Sequence, residues 1–242
     1  MPETASSSEA LRGRIADVRR RIELAARRAG RAPEDITLVA VSKTQPALML
    51  KLALEAGLRD FGENRVQESD EKIREVGRES ARWHLIGHLQ ANKARRAVLL
   101  FDFIHSLDSV ALAGRLDRLC VEEGREELPV LIQVDLAGEE TKSGASEEEL
   151  PELVAAVAAA ERLSLRGLMT LPPFFEEAER ARPFFQRLRE LRDALGSGMA
   201  FGATRTGELS MGMSHDFEIA IEEGASMVRV GTALFGERLP RR

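Results

Sequence analysis

The sequence alternates short apolar runs with amphipathic helical segments from residue 36 to its end, and this alternation limits the possible folds more than any other feature. The runs, such as residues 36–43 and 129–136, are rich in branched side chains, which is typical of strands buried on both faces of a parallel sheet. Strict alternation of strands and helices predicts parallel strands joined by right-handed crossovers. One amphipathic helix precedes the first strand.

The alternation comprises eight strand–helix units, which fits a (β/α)8 TIM barrel with an extra N-terminal helix. An open doubly wound sheet is the alternative. It would be favoured by a glycine-rich dinucleotide or P-loop signature after the first strand, and that position has none. We therefore predict one barrel domain over residues 1–242, with a flexible end at residues 1–8.

The charge and cysteine content narrow the classes of partner. A net charge of −5 argues against a nucleic acid or an anionic membrane as the main partner. The single cysteine, Cys120, rules out an internal disulfide and suits a reducing compartment. No apolar run approaches the ~18 residues of a membrane span, and the N-terminal segment lacks the apolar core of a signal peptide. We expect a cytoplasmic protein that binds neither nucleic acid nor membrane.

Lys43 closes the first strand, and Gln45-Pro46 follows it, so the strand ends there and a helix can begin. Chemistry in α/β folds lies at the carboxyl ends of the strands. The chain has 30 arginines and only five lysines. Because arginine does not deprotonate in proteins, only lysine can serve as an amine nucleophile. Lys43 is therefore the first candidate for chemistry, the alternative being an ordinary solvated charge.

The last two strands predict a phosphate site. The loops after strands seven and eight often bind phosphate in barrels of this kind. Ser210 offers a hydroxyl, Gly231 lets the backbone approach closely, and Thr232 adds a hydroxyl and an amide at a helix N-terminus. Under the alternative interpretation Gly231 only forms a turn, and nearby Ser214 only caps a helix.

Arg229 lies within an apolar strand, Met-Val-Arg-Val-Gly. A buried guanidinium must be paired, because an unpaired one costs several kcal/mol. It either forms a structural ion pair with a glutamate or faces a ligand acceptor at the barrel mouth. A strand-end lysine, a phosphate site and an inward arginine together indicate a pyridoxal phosphate (PLP) site, in which lysine forms a Schiff base with the aldehyde. Arginine donates to the pyridine nitrogen without protonating it, so the ring is a weak electron sink.

Several segments, in order, make the sequence resemble the pyridoxal phosphate homeostasis protein family, related in fold to the barrel domain of bacterial alanine racemase. The segments are VAVSK (39–43), FGEN (61–64), WHLIG (83–87), LQ (89–90), NK (92–93), TKSG (141–144), LSMGMS (209–214) and VRVGT (228–232). The resemblance covers nearly the whole chain from about residue 9.

The resemblance implies a Schiff base on Lys43, phosphate contacts from Ser210, Gly231 and Thr232, an Arg229 contact to the pyridine nitrogen, and Asn64 beside the cofactor. It also implies transfer of the cofactor to apo PLP-dependent enzymes, by a monomer or weak dimer. The chain departs from the family pattern in two places. His215 stands where members often have an acid, and the tail lacks a tyrosine shortly after residues 235–240, which leaves any contact from the last residues open.

Three functions share these features. The favoured one is a carrier that holds PLP for intracellular homeostasis with little or no turnover, and the first alternative is a PLP-dependent amino-acid racemase of low activity. Racemisation of the alanine racemase type needs a tyrosine on the second face of the substrate, and this chain has no tyrosine. The second alternative, a Schiff-base aldolase acting on a sugar phosphate, leaves Arg229 without a ring partner.

The remaining candidates are weaker. His84 and His88 are four residues apart, but they span a strand end and a helix start with no third ligand, so we predict no metal site. Cys120 lies on a predicted helix and is expected in the core. Lys142, in a polar loop, is a surface charge that could also transfer cofactor.

Overall fold

The computed structural model describes residues 2–138, 143–196, 201 and 206–236, and residues 2–7 by their backbone only. Within this part, eight strands pair in chain order into one closed barrel. The strands are β1 (Thr37–Val41), β2 (Asp60–Glu63), β3 (Arg82–Leu85), β4 (Phe103–Leu107), β5 (Leu128–Gln133), β6 (Leu163–Met169), β7 (Glu208–Ser210) and β8 (Met227–Val230). Neighbouring strands are parallel, and β8 pairs with β1. The predicted barrel is confirmed.

Helices follow the strands and cover the outside of the barrel. They are α1 (Pro2–Arg28), α2 (Ala47–Glu55), α3 (Val66–Val76), α4 (Ala94–Leu100), α5 (Val110–Glu122), α6 (Leu150–Ala158), α7 (Arg182–Gly196), α8 (Phe217–Glu222) and α9 (Thr232–Phe235). The extra helix α1 buries Leu11, Ile15 and Val18. It is tied to the last helices because Arg21 pairs with Glu218 at 2.7 Å.

The apolar core has two layers. A small inner cluster fills the barrel and consists of Val39, Phe103, Leu131, Met169 and Met227. The larger cluster lies between the strands and the helices. Successive strand residues point to opposite faces of the sheet. Since Val228 and Val230 belong to the outer cluster, Arg229 between them points into the barrel.

Several boundaries differ from the prediction, mostly in the segments that follow strands. The sequence of residues 88–100 predicts a helix, but the helix begins at Ala94, after a 3-10 turn at Ala91–Lys93. The amphipathic pattern of about residues 176–195 also predicts a helix, which begins at Arg182, where Pro183 suits the first turn. Because these helices begin late, the segments between the strands and the helices are long enough to line a site.

Helix α1 already begins at Pro2, so residues 2–8 are helical. The flexibility of residues 1–8 and the assignment of residues 1–242 to one domain stay predictions. In the part of the chain given above, no helix combines the length and the apolar character needed to cross a bilayer.

Candidate functional site

A cavity of 470 Å³ opens at the carboxyl ends of the strands, within the size range of small-molecule sites. Five of the six predicted site residues line it: Lys43, Asn64, Arg229, Gly231 and Thr232. The closed barrel brings them together because the carboxyl ends of parallel strands meet at one rim. Residues from the loops after β6 and β7 complete the wall.

Lys43 lies two residues beyond the end of β1, and the peptide that precedes it is fixed by buried polar groups. Ser42 Oγ donates to Glu63 Oε1 over 2.6 Å. Lys72 Nζ donates to the same carboxylate oxygen over 2.5 Å and to the Ser42 carbonyl oxygen over 2.8 Å. Thr44, on the other side of Lys43, has a left-handed φ of 67°, an uncommon conformation for a β-branched residue. The lysine is thus held in a turn of defined shape.

Asn64 follows β2, lines the cavity and has an unsatisfied buried acceptor. Its Oδ1 atom is buried and lacks a hydrogen-bond partner in the structure, and an orphaned buried acceptor indicates a missing donor. Gly87 makes this placement possible: a Cβ atom on Gly87 would lie 2.4 Å from the Asn64 carbonyl oxygen. Ser106 Oγ donates to the Gly87 carbonyl over 2.7 Å and holds that contact.

Arg229 is 2% exposed and lines the cavity from inside the barrel. Its Nη1 donates to Ser210 Oγ over 2.6 Å, and its Nη2 donates to the Thr170 carbonyl oxygen over 2.8 Å. These partners are a hydroxyl and a carbonyl, not the glutamate expected for a structural ion pair. Burial lowers the pKa of Arg229 to about 10, against the opposing charge of Asp216, so the guanidinium stays protonated at neutral pH.

Ser210 is the predicted site residue that is not among those lining the cavity. As the last residue of β7 it points into the barrel and is fully buried, and its Oγ is bonded to Arg229 and to His105 Nδ1, at 2.9 Å from the latter. Ser214, four residues later, lines the cavity. Its Oγ accepts from the amides of Gly231 and Ala233 at 3.1 and 3.2 Å. The sequence contained an indication of this position, because Ser214 lies beyond the end of β7 and can reach the carboxyl-terminal rim of the barrel.

The open side of the cavity is apolar and aromatic. Phe174 is 77% exposed, and its ring lies 5.5 Å from that of His215. His215 is held in turn, because its Nε2 lies 3.0 Å from the Glu176 carbonyl oxygen. The departure from the family pattern at His215 therefore falls at the mouth of the cavity.

The sequence prediction overlooked His105 and its contact with His84. Both rings are fully buried inside the barrel, with His84 Nδ1 2.9 Å from His105 Nε2. Each is a polar residue at an inward position of a buried strand, and this pattern could have indicated both histidines from the sequence. His88 instead pairs with Asp108 at 3.0 Å. The described residues contain no group of three or more side chains arranged to hold a metal.

Two other predictions have different outcomes. Cys120 is buried on α5, as predicted. Lys142 lies outside the described residues, as do residues 237–242 of the tail.

The family described as alanine racemase, N-terminal domain, matches residues 14–239. The pyridoxal phosphate homeostasis protein of Escherichia coli (strain K12) is 46% identical over 235 residues, which cover 93% of this chain and 95% of the relative. The protein of the same description from Aquifex aeolicus (strain VF5) is 43% identical, with coverages of 93% and 97%.

Solved structures agree with these sequence relatives. PipY of Synechococcus elongatus PCC7942, solved with PLP bound, is 38% identical with a TM-score of 0.80, over 93% of this chain and 100% of that one. Alanine racemase from Corynebacterium glutamicum has a TM-score of 0.66 at 21% identity, over 91% of this chain and 61% of that one, which shows a shared fold.

Proposed function

The chain belongs to the pyridoxal phosphate homeostasis proteins, within the family of alanine racemase N-terminal domains, and from this premise we propose that it holds PLP as a Schiff base on Lys43. One observation carries the proposal. A lysine, a protonated buried arginine, an asparagine with an orphaned amide oxygen, and residues that carry hydroxyls and amides line the same cavity. PLP, when bound, supplies an aldehyde for the amine and an aromatic ring as electron sink.

Each lining residue has a group suited to one part of PLP. Lys43 carries the amine, and the buried Oδ1 of Asn64 can accept a hydrogen bond from a polar substituent of the ring. Arg229 has five N–H donors, of which Nη1 and Nη2 each use one internally, so the guanidinium can still donate to the pyridine nitrogen. These assignments follow the sequence prediction.

The phosphate site is revised in one position. Gly231 and Thr232 remain, since they lie at the start of α9 and on the cavity wall. Ser214 takes the place of Ser210, because its hydroxyl oxygen already accepts the Gly231 and Ala233 amide hydrogens. A phosphate oxygen could replace it as their acceptor while Ser214 donates its own hydroxyl hydrogen. Ser210 then acts on the cofactor only through Arg229.

Little or no turnover is the second part of the proposal. Arg229 keeps its proton at neutral pH, so it cannot transfer one to the ring and strengthen the electron sink. The sequence also contains no tyrosine to act as the second base of an alanine-racemase-type reaction. A protein of this kind would pass its cofactor to apo PLP-dependent enzymes. We propose that it does so in the cytoplasm as a monomer or weak dimer.

Borohydride trapping tests the Schiff base. Protein incubated with PLP is reduced, digested and analysed by peptide mass spectrometry, which distinguishes the five lysines. We expect the pyridoxyl group on Lys43, with the visible absorbance band of a Schiff base that Lys43→Ala abolishes and Lys51→Ala retains. Lys51 is the matched control because it lies on the surface beside Glu75. Modification spread evenly over the lysines, or the same band in Lys43→Ala, would contradict the proposal.

Two further assays separate carrier from racemase. Chiral analysis after incubation of loaded protein with L-alanine should show no rapid appearance of the D-enantiomer; fast racemisation favours the alternative. For the transfer assay, loaded protein is mixed with an apo PLP-dependent enzyme in the presence of a scavenger that captures free PLP. Under these conditions, loaded protein should restore the activity of that enzyme faster than free PLP does.

A further inference from the structure

A continuous chain of hydrogen bonds runs through the barrel from its amino-terminal end to Arg229. Its four links are Asp60 Oδ1 to His84 Nε2 at 3.0 Å, His84 Nδ1 to His105 Nε2 at 2.9 Å, His105 Nδ1 to Ser210 Oγ at 2.9 Å, and Ser210 Oγ to Arg229 Nη1 at 2.6 Å. The strands β2, β3, β4, β7 and β8 each contribute one residue. The chain thus joins both ends of the barrel.

If both imidazoles are neutral, the acceptor at the Asp60 end determines the direction of every bond. Arginine can only donate, so Ser210 Oγ accepts from Nη1; the oxygen could accept a second bond, so the direction of its bond to His105 is set from the Asp60 end. An ionised Asp60 can only accept, so His84 Nε2 carries a hydrogen. Each neutral imidazole has one donor and one acceptor, so both histidines are Nε2–H tautomers. If one of these bonds ran in the opposite direction, two hydrogens, or none, would lie between the two atoms of another bond in the chain, and that bond would be lost.

The middle of the chain is shielded from water. His84, His105 and Ser210 are fully buried, and Phe103 packs against both imidazole rings, with centroids 5.6 and 4.8 Å away. Burial above all, with the charge of Arg229, lowers the pKa of His105 well below its ordinary value, so the ring stays neutral. Asp60, in contrast, borders an open groove at the amino-terminal end with Arg19, Arg59 and Glu34.

We propose that Asp60, His84 and His105 are positioning residues that hold the Arg229 guanidinium toward the cavity. The anion at Asp60 selects the tautomers of both histidines, and His105 Nδ1 then accepts the Ser210 hydrogen, which keeps the lone pairs of Ser210 Oγ directed to Arg229. Without these tautomers, the Ser210 hydroxyl could turn its hydrogen toward Arg229 Nη1, and the guanidinium would lose a fixed hydrogen-bond partner. The chain does not conduct protons to the ligand, since Arg229 retains its own proton at neutral pH. The effect on PLP rests on the function proposed above.

The first test needs neither cofactor nor substitution in the site. In ¹⁵N-labelled cofactor-free protein, we expect the side-chain NMR signals of His84 and His105 to show hydrogen on Nε2 and none on Nδ1. Asp60→Ala should convert both rings to mixtures of tautomers and broaden the Arg229 guanidinium signals. The matched control is Asp108→Ala, which removes the carboxylate beside surface His88. An Nδ1–H tautomer of His105 in the wild type, or unchanged tautomers in Asp60→Ala, overturns the proposal.

The second test uses two substitutions, each of which replaces only one of the two hydrogen-bonding nitrogens of His105. The amide oxygen of His105→Asn can replace Nδ1 as the acceptor for Ser210, whereas the amide nitrogen of His105→Gln can replace Nε2 and leaves Ser210 without an acceptor. We expect His105→Asn to bind PLP within about twofold of the wild type and His105→Gln about tenfold more weakly, as for loss of a hydrogen bond to a charged group. A role in packing alone would not rank the two in this order.

Equal affinities, or the reverse order, contradict the proposal. His88→Asn and His88→Gln report any general effect of removing a histidine. Circular dichroism shows whether the variants fold. If they do not fold, the proposal is judged by the histidine tautomers measured in the wild-type protein. A wild-type protein with the expected tautomers that fails to bind PLP would contradict the proposed function and leave the positioning chain standing.

Discussion

Lys72 Nζ donates to the carbonyl oxygen of Ser42 over 2.8 Å, so a nearly buried ammonium holds the peptide bond that precedes Lys43. The same ammonium pairs with Glu63, whose side chain is 1% exposed. Ser42 Oγ donates to that carboxylate as well. The geometry of the strand end that carries Lys43 therefore depends on an ion pair between β2 and α3.

Lys72→Met should destabilise the protein by about 3–5 kcal/mol, because it leaves the Glu63 carboxylate buried without its counter-charge. Urea unfolding measures the change. The double variant Glu63→Gln/Lys72→Met should recover much of the loss, since no charge remains buried. Lys51→Met, which breaks the exposed pair with Glu75, is the control and should change stability by less than about 1 kcal/mol. A single variant as stable as this control would disprove the role of the pair.

Ser214→Ala should weaken binding of PLP about tenfold while leaving the binding of pyridoxal, which has no phosphate, unchanged. The reason is that the Ser214 hydroxyl lies among the amides that start α9. Ser210→Ala should weaken both ligands alike, because Ser210 contacts Arg229 and not the phosphate region. Equilibrium titrations of both ligands give the comparison, and the opposite pattern would restore Ser210 as the phosphate contact.

Gly87→Ala should cost about 1–3 kcal/mol, as overpacking does in well-packed interiors. Its Cβ atom would lie 2.4 Å from the Asn64 carbonyl oxygen and 2.8 Å from Asn64 Cα, so the Asn64 backbone must move. We expect weaker PLP binding with the lower melting temperature. Gly114→Ala is the control: it lies within α5 with no atom near its Cβ position, and alanine should slightly stabilise the helix. Equal melting temperatures for the two variants would show that the contact at Gly87 relaxes without cost.

Cys120 should make the protein less stable as the pH rises above 9. Burial raises the pKa of its thiol to about 11 from an ordinary 9.0. Between these values the unfolded chain has released the proton and the folded chain has kept it, so the unfolded state binds fewer protons and stability falls with pH. The difference in unfolding free energy between wild type and Cys120→Ala should shrink by about 2–3 kcal/mol from pH 8.5 to 11. A constant difference would show that the thiol ionises normally in the folded protein.

Much of the fold was predictable because barrel strands and helices follow from local patterns. Alternating apolar and amphipathic segments predicted eight parallel strands in a barrel, and the described residues form eight strands that close into one. The predicted positions of Lys43, Asn64, Arg229, Gly231 and Thr232 on one rim follow from the same topology, since each lies at or just beyond a strand end. Their contacts with PLP remain proposals.

The different positions of Ser210 and Ser214 show the limit of that reasoning. Both serines lie within one short segment, and the sequence does not state at which residue the strand stops or which way its last side chain points. A shift of one residue along a strand turns a side chain from one face to the other. The side chain of Ser210 points inward to Arg229, and that of Ser214 reaches the cavity.

The sequence by itself determined the barrel, the lysine at a strand end and the absence of tyrosine, because periodicity and residue identity are local properties. Only the tertiary structure decided how Asp60, His84, His105 and Ser210 connect to Arg229, since these residues come from five different strands and meet only when the barrel closes. Directional hydrogen bonds between distant strands depend on distances of about 3 Å, and no pattern within one strand encodes them.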